Sequence, residues 1–356
     1  MGSFRVLKFA AADHSDLWDA FVNAHPFAGV GHLRELFAFA PAERNLSLMA
    51  FDEAGKTVGV LPLVEVDQKR LGRFRWRILV SNIEFPAGPL TLSSLSARVQ
   101  MEVLEALMAE VANVAGARKA DEVMIAYPLT AGDRSAIERF GYYPMRRFGF
   151  TEQNGVGLLL RLSEEESALF SGLESNCRNM VRRCQKAGVV SRPVTGRAEW
   201  LACYDLNVET LGEMADSREY MALIWDALVV PGHAHIFAVE NEGAILNIVV
   251  TVGFGASAYY WKSYRSKKGY VPGTNNLALW DAIVDCKRRG FRFFELGSLE
   301  FGAPEQVAIS KFKQSFGGVP AYQLRGSWLR SPLRPAILDA GGALMAHFRA
   351  RKEKKT

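Results

Sequence analysis

Hydrophobic and polar positions along this 356-residue chain change period repeatedly, and each change marks an element. Residues 4–10 alternate as a strand does. SDLWDAFVNAH at 15–25 then takes up helical spacing, with Ser15 as its candidate N-cap. HPFAGVGHLRELFAFA turns into a short apolar helix. Two apolar runs at 46–51 and 57–66 flank Asp52, Glu53, Ala54 and Gly55, a hairpin signal in which Pro62 pushes the second run toward an edge. RLGRFRWRILV sets arginine against apolar residues at period two, as a half-exposed strand would. SNIEFPAGPL, with two prolines and a glycine, is loop. The segment 91–116 is the longest helical pattern of the first half, with Leu95, Val99, Val103, Ala106 and Leu107 near one face. DEVMIAYPL reads as a strand, AGDRSAIERFGYYP as a helix ending at Gly141, and the run 146–162 as a return to strand.

A second round begins near Glu164. Residues 164–188 read as a helix with an acidic start and a basic finish, the polarity that the helix dipole favours. VVSRPV is a strand, and 199–214 and 217–230 are helices. Residues 234–264 form a three-strand meander with turns at 241–243 and 253–257. Then come the turn PGTNN, the amphipathic LALWDAIVDCKRRG, the strand FRFFELG and finally KFKQSFGG. Both halves thus carry helices, a hairpin, a long helix and a strand, so the pattern predicts an α/β (α+β) protein in which one fold is used twice.

Composition narrows this picture. With 49% hydrophobic and 23% charged residues the chain is globular, and its length suits two domains. No apolar run reaches the roughly 18 residues of a membrane span, and the first residues lack the apolar core of a signal peptide, so the expected location is cytoplasmic. The four cysteines lie in amphipathic segments without zinc-ligand spacing, which predicts neither a disulfide framework nor a metal site. His233 and His235, beside a Pro-Gly turn, are expected at the surface. The net charge of +5 admits an anionic partner or a merely basic enzyme. Its local concentrations are KRLGRFRWR at 69–77, RNMVRRCQK at 178–186 and RARKEKK at 349–355.

Phosphate-binding loops, nucleophile elbows and HExxH are all missing from the sequence. PGTNN sits between a strand and a helix, where free N–H groups can hold a phosphate or carbonyl oxygen; an ordinary N-cap at Thr274 or Asn275 accounts for it equally. Lys313, flanked by Phe312 and Phe316, either stabilises an oxyanion at a poorly hydrated site or is a solvated lysine beside the core.

The series YYWKSYRSKKGYVPGTNNLALWDAI, GFRFFELGS and ISKFKQSFGGVP resembles the second half of the Fem-type (FemABX) aminoacyltransferases, which build peptidoglycan cross-bridges from aminoacyl-tRNA. It is also similar to double acetyltransferase-fold (GNAT-like) proteins linked to exopolysaccharide and envelope genes. NCRNMVRRCQKAGV, DSREYMALIWDAL, GVLPLVEV and SNIEFPAGPL extend the likeness upstream more loosely. The resemblance implies two tandem GNAT-like domains, at 1–160 and 161–325, each a mixed, mostly antiparallel sheet flanked by helices. Residues 326–356 would pack back on the first.

The family pattern, carried over, makes Phe312 and Lys313 the reaction centre, with Lys313 stabilising the tetrahedral intermediate as an amine attacks the donor ester. Arg218 and Tyr220 would grip the acceptor's phosphates or the donor's 3′ end. Trp261, Asn275, Asn276 and Trp280 would line the cleft, and Arg178, Arg182, Arg183 and Lys186 would attract a polyanion. No base is implied. The coiled-coil arm of some members is missing, and QKRLGR and RSKKGY only approximate the acyl-CoA fingerprint. Expected function is transfer of an aminoacyl group from aminoacyl-tRNA, met at its acceptor end, to an amine on a small, phosphorylated or lipid-linked acceptor. The alternatives are an acyl-CoA-dependent N-acyltransferase and a non-catalytic binding member. No tightly bound cofactor is expected. The tail 326–356 allows peripheral contact with the inner membrane face.

Overall fold

The computed structural model describes residues 4–70, 74–81, 84–129, 144–163, 165–266 and 271–331. The helix expected at 131–141 and the basic tail beyond 331 lie outside them. In the first half β1 (Arg5–Lys8), helix α1 (Ala11–Ala24), the hairpin β2 (Leu48–Phe51) and β3 (Thr57–Leu61), and then β4 (Val64–Arg70) and β5 (Phe74–Val80) follow the predicted order. After β6 (Leu90–Thr91) come α2 (Ala97–Arg118), β7 (Glu122–Ala126) and β8 (Thr151–Glu152). Pro62 marks a change of sheet: β3 lies in the sheet β1-β2-β3-β6, whereas β4 begins the sheet β4-β5-β7-β16-β8.

The second half runs β9 (Gly155–Arg161), α3 (Glu166–Gly172), α4 (Ser175–Lys186), β10 (Val190–Pro193), α5 (Arg197–Ala202), α6 (Tyr204–Leu211) and α7 (Arg218–Ile224). The meander β11 (Ala234–Asn241), β12 (Ala244–Phe254) and β13 (Ser257–Arg265) leads into α8 (Thr274–Arg288), β14 (Phe293–Ser298), α9 (Pro304–Gln314), β15 (Val319–Gln323) and β16 (Arg325–Leu329). Seven strands form one sheet in the order β10-β11-β12-β13-β14-β9-β15. One face packs on α4 and α8 through Val181, Cys184, Leu277, Ile283 and Phe294. The other packs on α5–α7 through Trp200, Met221, Ile248 and Val250. Burial on both faces is why β12 reads as an unbroken apolar run rather than an alternation.

The two halves are interlocked. Strand β9, part of the first unit by sequence, pairs with β14 and β15 of the second sheet. Strand β16 returns to insert between β7 and β8 of the first. Each sheet therefore borrows an inner strand from beyond its own stretch of chain. A further apolar cluster joins Val30, Leu33, Leu36 and Phe85 to Leu228, Val252 and Tyr259, so the faces of the two halves share a core.

Local expectations fail where side chains find better partners. Helix α1 starts at Ala11, and the Ser15 hydroxyl donates to the Ala11 carbonyl at 2.7 Å inside it rather than capping it. The helix expected over 164–188 breaks at Leu173, where Arg178 donates to the Ser171 and Leu173 carbonyls that the break exposes. The pattern at 199–214 likewise splits at Cys203. His233 and His235 are half-buried, and burial lowers the pKa of each. No helix among the described residues is long and apolar enough to cross a membrane.

Candidate functional site

The seven-stranded sheet opens between β13 and β14. These strands are parallel and pair over only three positions, the last being Tyr259 with Glu295. Both then bulge. Against β12 the register jumps from Val250–Lys262 to Thr251–Tyr260, leaving Trp261 as the extra residue, and against β9 Leu296 is extra between Glu295 and Gly297. A bulge bends its strand and re-aims side chains, so the strands diverge and leave a wedge. The equivalent point in the first half is closed. There β5 and β7 also pair in parallel over three positions, but Ser81 continues the ladder: its N–H donates to Met124 O at 2.9 Å, and its hydroxyl accepts from Ala126 N at 2.9 Å.

Since β13, α8 and β14 form a parallel strand–helix–strand unit, the start of α8 lies at the same end as the wedge. Gly273, not Thr274 or Asn275, is the N-cap. Its φ of +96° favours glycine, and a Cβ there would stand 2.8 Å from Met180 O. This close approach packs the helix start on α4, where the Cys184 thiol donates to Pro272 O at 3.3 Å. The Asn275 carboxamide oxygen accepts from the Ser263 hydroxyl at 2.9 Å, and Asn276 donates to the Cys177 sulfur at 3.2 Å. Trp280, 5% exposed with Phe170 edge-on at 5.0 Å, is a core residue rather than a cleft residue.

Lys313 comes to the open end of β14. Its Nζ donates to Ser298 O at 2.9 Å and lies 3.3 Å from where a Cβ on Gly297 would stand. Burial pushes its pKa below the ordinary lysine value, against a smaller opposing effect of Glu300. The preceding Phe312 packs on the core and edge-on to Phe316 at 5.2 Å, fixing the turn of helix from which Lys313 projects.

Arg218 and Tyr220 do not converge. Two positions apart on α7 they point to nearly opposite sides. Arg218 lies over the Tyr204 ring at 4.2 Å and donates to Leu201 O at 3.3 Å. Tyr220 instead donates its hydroxyl to Glu84, which the first half supplies. Trp261 Nε1 donates to the other oxygen of Glu84 at 3.3 Å, and Lys262 Nζ lies about 5 Å from both ring centres while pairing with Asp216 at 3.0 Å. Burial and the neighbouring carboxylates push the Tyr220 pKa far up, so it remains a donor. Of the basic set on α4, Arg178 is spent on carbonyls and Arg182 lies over Phe170 at 5.2 Å; Arg183 and Lys186 are exposed.

Glu84→Ala should leave the Tyr220 and Trp261 donors without their acceptor, a loss of about 1–3 kcal/mol. Urea unfolding and a red shift of tryptophan emission would report it. An unchanged midpoint would mean that this bridge does not hold the halves together.

Sequence reasoning missed two residues. Glu84 lies in a loop, and only the fold reveals its partners. Glu295 had a signal: a lone acid among the apolar residues of FRFFELG, flanked as a buried strand would be. It is 1% exposed, and burial pushes its pKa up to about 8, opposed by neighbouring Tyr259, the Leu129 backbone and Ser257. Gly297 is two residues along the same strand, about 7 Å at ordinary rise, so the Lys313 ammonium stands beyond this carboxyl toward the open end of the wedge. Among the described residues no cluster of metal-binding side chains occurs. QKRLGR and RSKKGY fall partly outside the described residues.

Comparison with known proteins agrees with this architecture. Residues 172–305 match the family described as Acetyltransferase (GNAT) domain. A solved structure described as FemX is similar over 94% of this chain and 100% of its own, at 15% identity and a TM-score of 0.69. A tandem GNAT protein from the clavulanic acid biosynthesis pathway is similar over 93% of this chain and 99% of its own, at 15% identity and a TM-score of 0.57. L-PGS from Bacillus licheniformis is similar over 92% and 95%, at 15% identity and a TM-score of 0.55. Comparison with curated proteins gave no match. The interlocked halves, the wedge and these likenesses converge: residues 172–305 are similar to the acetyltransferase (GNAT) domain family, and the chain has the same tandem fold as FemX.

Proposed function

We propose that this protein transfers an acyl group to an amine, with an aminoacyl ester of tRNA as the favoured donor. The observation that carries the reading is the open wedge between β13 and β14 with a partly buried lysine at its end. A donor carbonyl lying in the wedge has unpaired β13 backbone beside it and Lys313 within reach of the oxyanion formed on attack. Arg183 and Lys186 at the end of α4 are exposed, which supports a donor with a phosphate backbone. In this reading Arg218, turned away from Tyr220, contributes field rather than a two-residue grip.

A second reading takes acyl-CoA as donor, and the acetyltransferase description of the matched domain favours it. One experiment separates them. Purified protein is given an amine acceptor panel with either labelled aminoacyl-tRNA or labelled acetyl-CoA, with and without RNase. RNase-sensitive transfer supports the tRNA donor, and RNase-resistant transfer that needs acetyl-CoA supports the other. No transfer from either donor refutes both.

A further inference from the structure

Strand β13 bends away from β14 at one residue. Trp261 is the extra residue of its bulge, between the pairs Val250–Lys262 and Thr251–Tyr260. A bulge leaves that residue without a cross-strand partner, so contacts off the sheet decide where it sits. The chain on either side is already fixed. Tyr259 pairs with Glu295, Lys262 Nζ and the Tyr264 hydroxyl both reach Asp216, at 3.0 Å and 2.6 Å, and the Ser263 hydroxyl donates to Asn275 at 2.9 Å. The Trp261 indole instead meets Glu84 at 3.3 Å, the centre of the Phe85 ring at 5.2 Å and that of Phe39 at 6.3 Å. All three belong to the first half.

The first half also holds these residues in place. Its β5 is the counterpart of β13, and Ser81 zips it onto β7 where β13 parts from β14. The chain that follows Ser81 carries Glu84 and Phe85 across to the second half. Their loop is fixed from behind: Gly29 N–H donates to His32 Nδ1 at 3.1 Å, which leaves the ring proton on Nε2 to be donated to Gly88 O at 2.9 Å. Burial lowers the His32 pKa to about 4, so the ring stays neutral near pH 7 and keeps that tautomer. Gly31 lies against the same loop, since a Cβ there would stand 2.5 Å from Phe85 O. The unit whose own strands are closed thus supplies a fixed loop to the unit whose strands are open.

What the bulge supplies is position. Moving it by one residue would turn Tyr260 or Lys262 to the opposite face and shift the β13 backbone that borders the wedge. A displacement of about 1 Å at a reacting group costs up to about 10²-fold in rate.

We propose that Glu84 is a positioning residue: held by the closed first half, it fixes the Trp261 bulge and so keeps the wedge of the second half open in one register. For its effect on rate the inference rests on the acyl-transfer reading above; for its effect on β13 it does not. Glu84 acts through Trp261, and its other bond, from the Tyr220 hydroxyl, ties the same carboxylate to α7.

Hydrogen exchange read by mass spectrometry tests the hold on β13 without any substrate. In Glu84→Ala, peptides covering Ser257–Arg265 should exchange about tenfold or more faster than in the wild type, beyond any change in β11 of the same sheet. Tyr220→Phe removes the other bond of the bridge and leaves β13 untouched, so it should lower stability with no selective change in that strand. Donor kcat/KM tests the consequence. Glu84→Ala should lower it about 10–100-fold, and Trp261→Phe, which keeps a ring against Phe85 but has no N–H, by about tenfold. The double variant should fall no further than Glu84→Ala alone. Losses that multiply in the double variant would overturn the proposal, because the two residues would then act separately. So would wild-type transfer or unchanged exchange in Glu84→Ala, or equal loosening of β13 in Glu84→Ala and Tyr220→Phe, which would make the bridge a clamp between halves and nothing more. Selective loosening of β13 in a protein that transfers neither donor would uphold the positioning role and refute the transferase reading alone.

Discussion

Lys313→Met should lower kcat for acyl transfer by about 10²–10³-fold, the range seen when a preorganised oxyanion donor is removed. Methionine keeps most of the aliphatic stem beside Phe312, so the helix turn should hold, and only the bond to Ser298 O is lost from the resting state. The KM for donor should change little, because the charge acts on the oxyanion that forms during attack rather than on the carbonyl that binds. Lys313→Arg distinguishes charge from shape. Its fork would extend beyond the space beside Gly297, where the ammonium already stands 3.3 Å from a notional Cβ, so charge alone should recover little. Single-turnover transfer checks both variants. A Lys313→Met enzyme with wild-type kcat would remove the lysine from the chemistry and move attention to the β13 backbone.

The sequence carried the tandem architecture because periodicity, turns and helix polarity are local properties, and nearly every strand and helix in the described residues obeys them. It also singled out Lys313 and PGTNN, which the fold then brings to the same end of one strand–helix–strand unit. Other features depend on chain segments far apart. The exchange of β9 and β16 between sheets has no local signature, since a strand reads alike whichever neighbour it joins. The family resemblance made Trp280 a cleft residue, yet helix phase turns it into the core with Phe170. The resemblance made Arg218 and Tyr220 a pair, but residues two apart on a helix are nearly opposed, and Glu84, 136 positions away, decides where Tyr220 points. Glu295 shows the same limit. FRFFELG announces a buried strand, and the environment of its glutamate is set by Tyr259 and by Leu129 of the other half.

That environment makes a second large effect measurable without any substrate. Glu295→Gln should stabilise the protein in neutral and alkaline solution and do little in acid. The folded-state pKa of Glu295 is raised from 4.5 to about 8. Between these values the folded protein holds a proton that the unfolded chain has lost, so the stability linked to this group is full below pH 4.5 and falls as pH rises toward 8. The whole loss amounts to about 5 kcal/mol as an upper figure. Glutamine removes the titration and, with it, the loss. His32, whose pKa burial lowers to about 4, destabilises the fold in acid instead, but it does so equally in both proteins and cancels in the difference. Urea midpoints of wild type and variant should therefore coincide near pH 4 and separate progressively to pH 8 and above, with the variant more stable. A gap that does not change with pH would mean that Glu295 is not held as a neutral acid. A gap that opens as expected would show that this core strand carries an acid whose ionisation weakens the fold as pH rises.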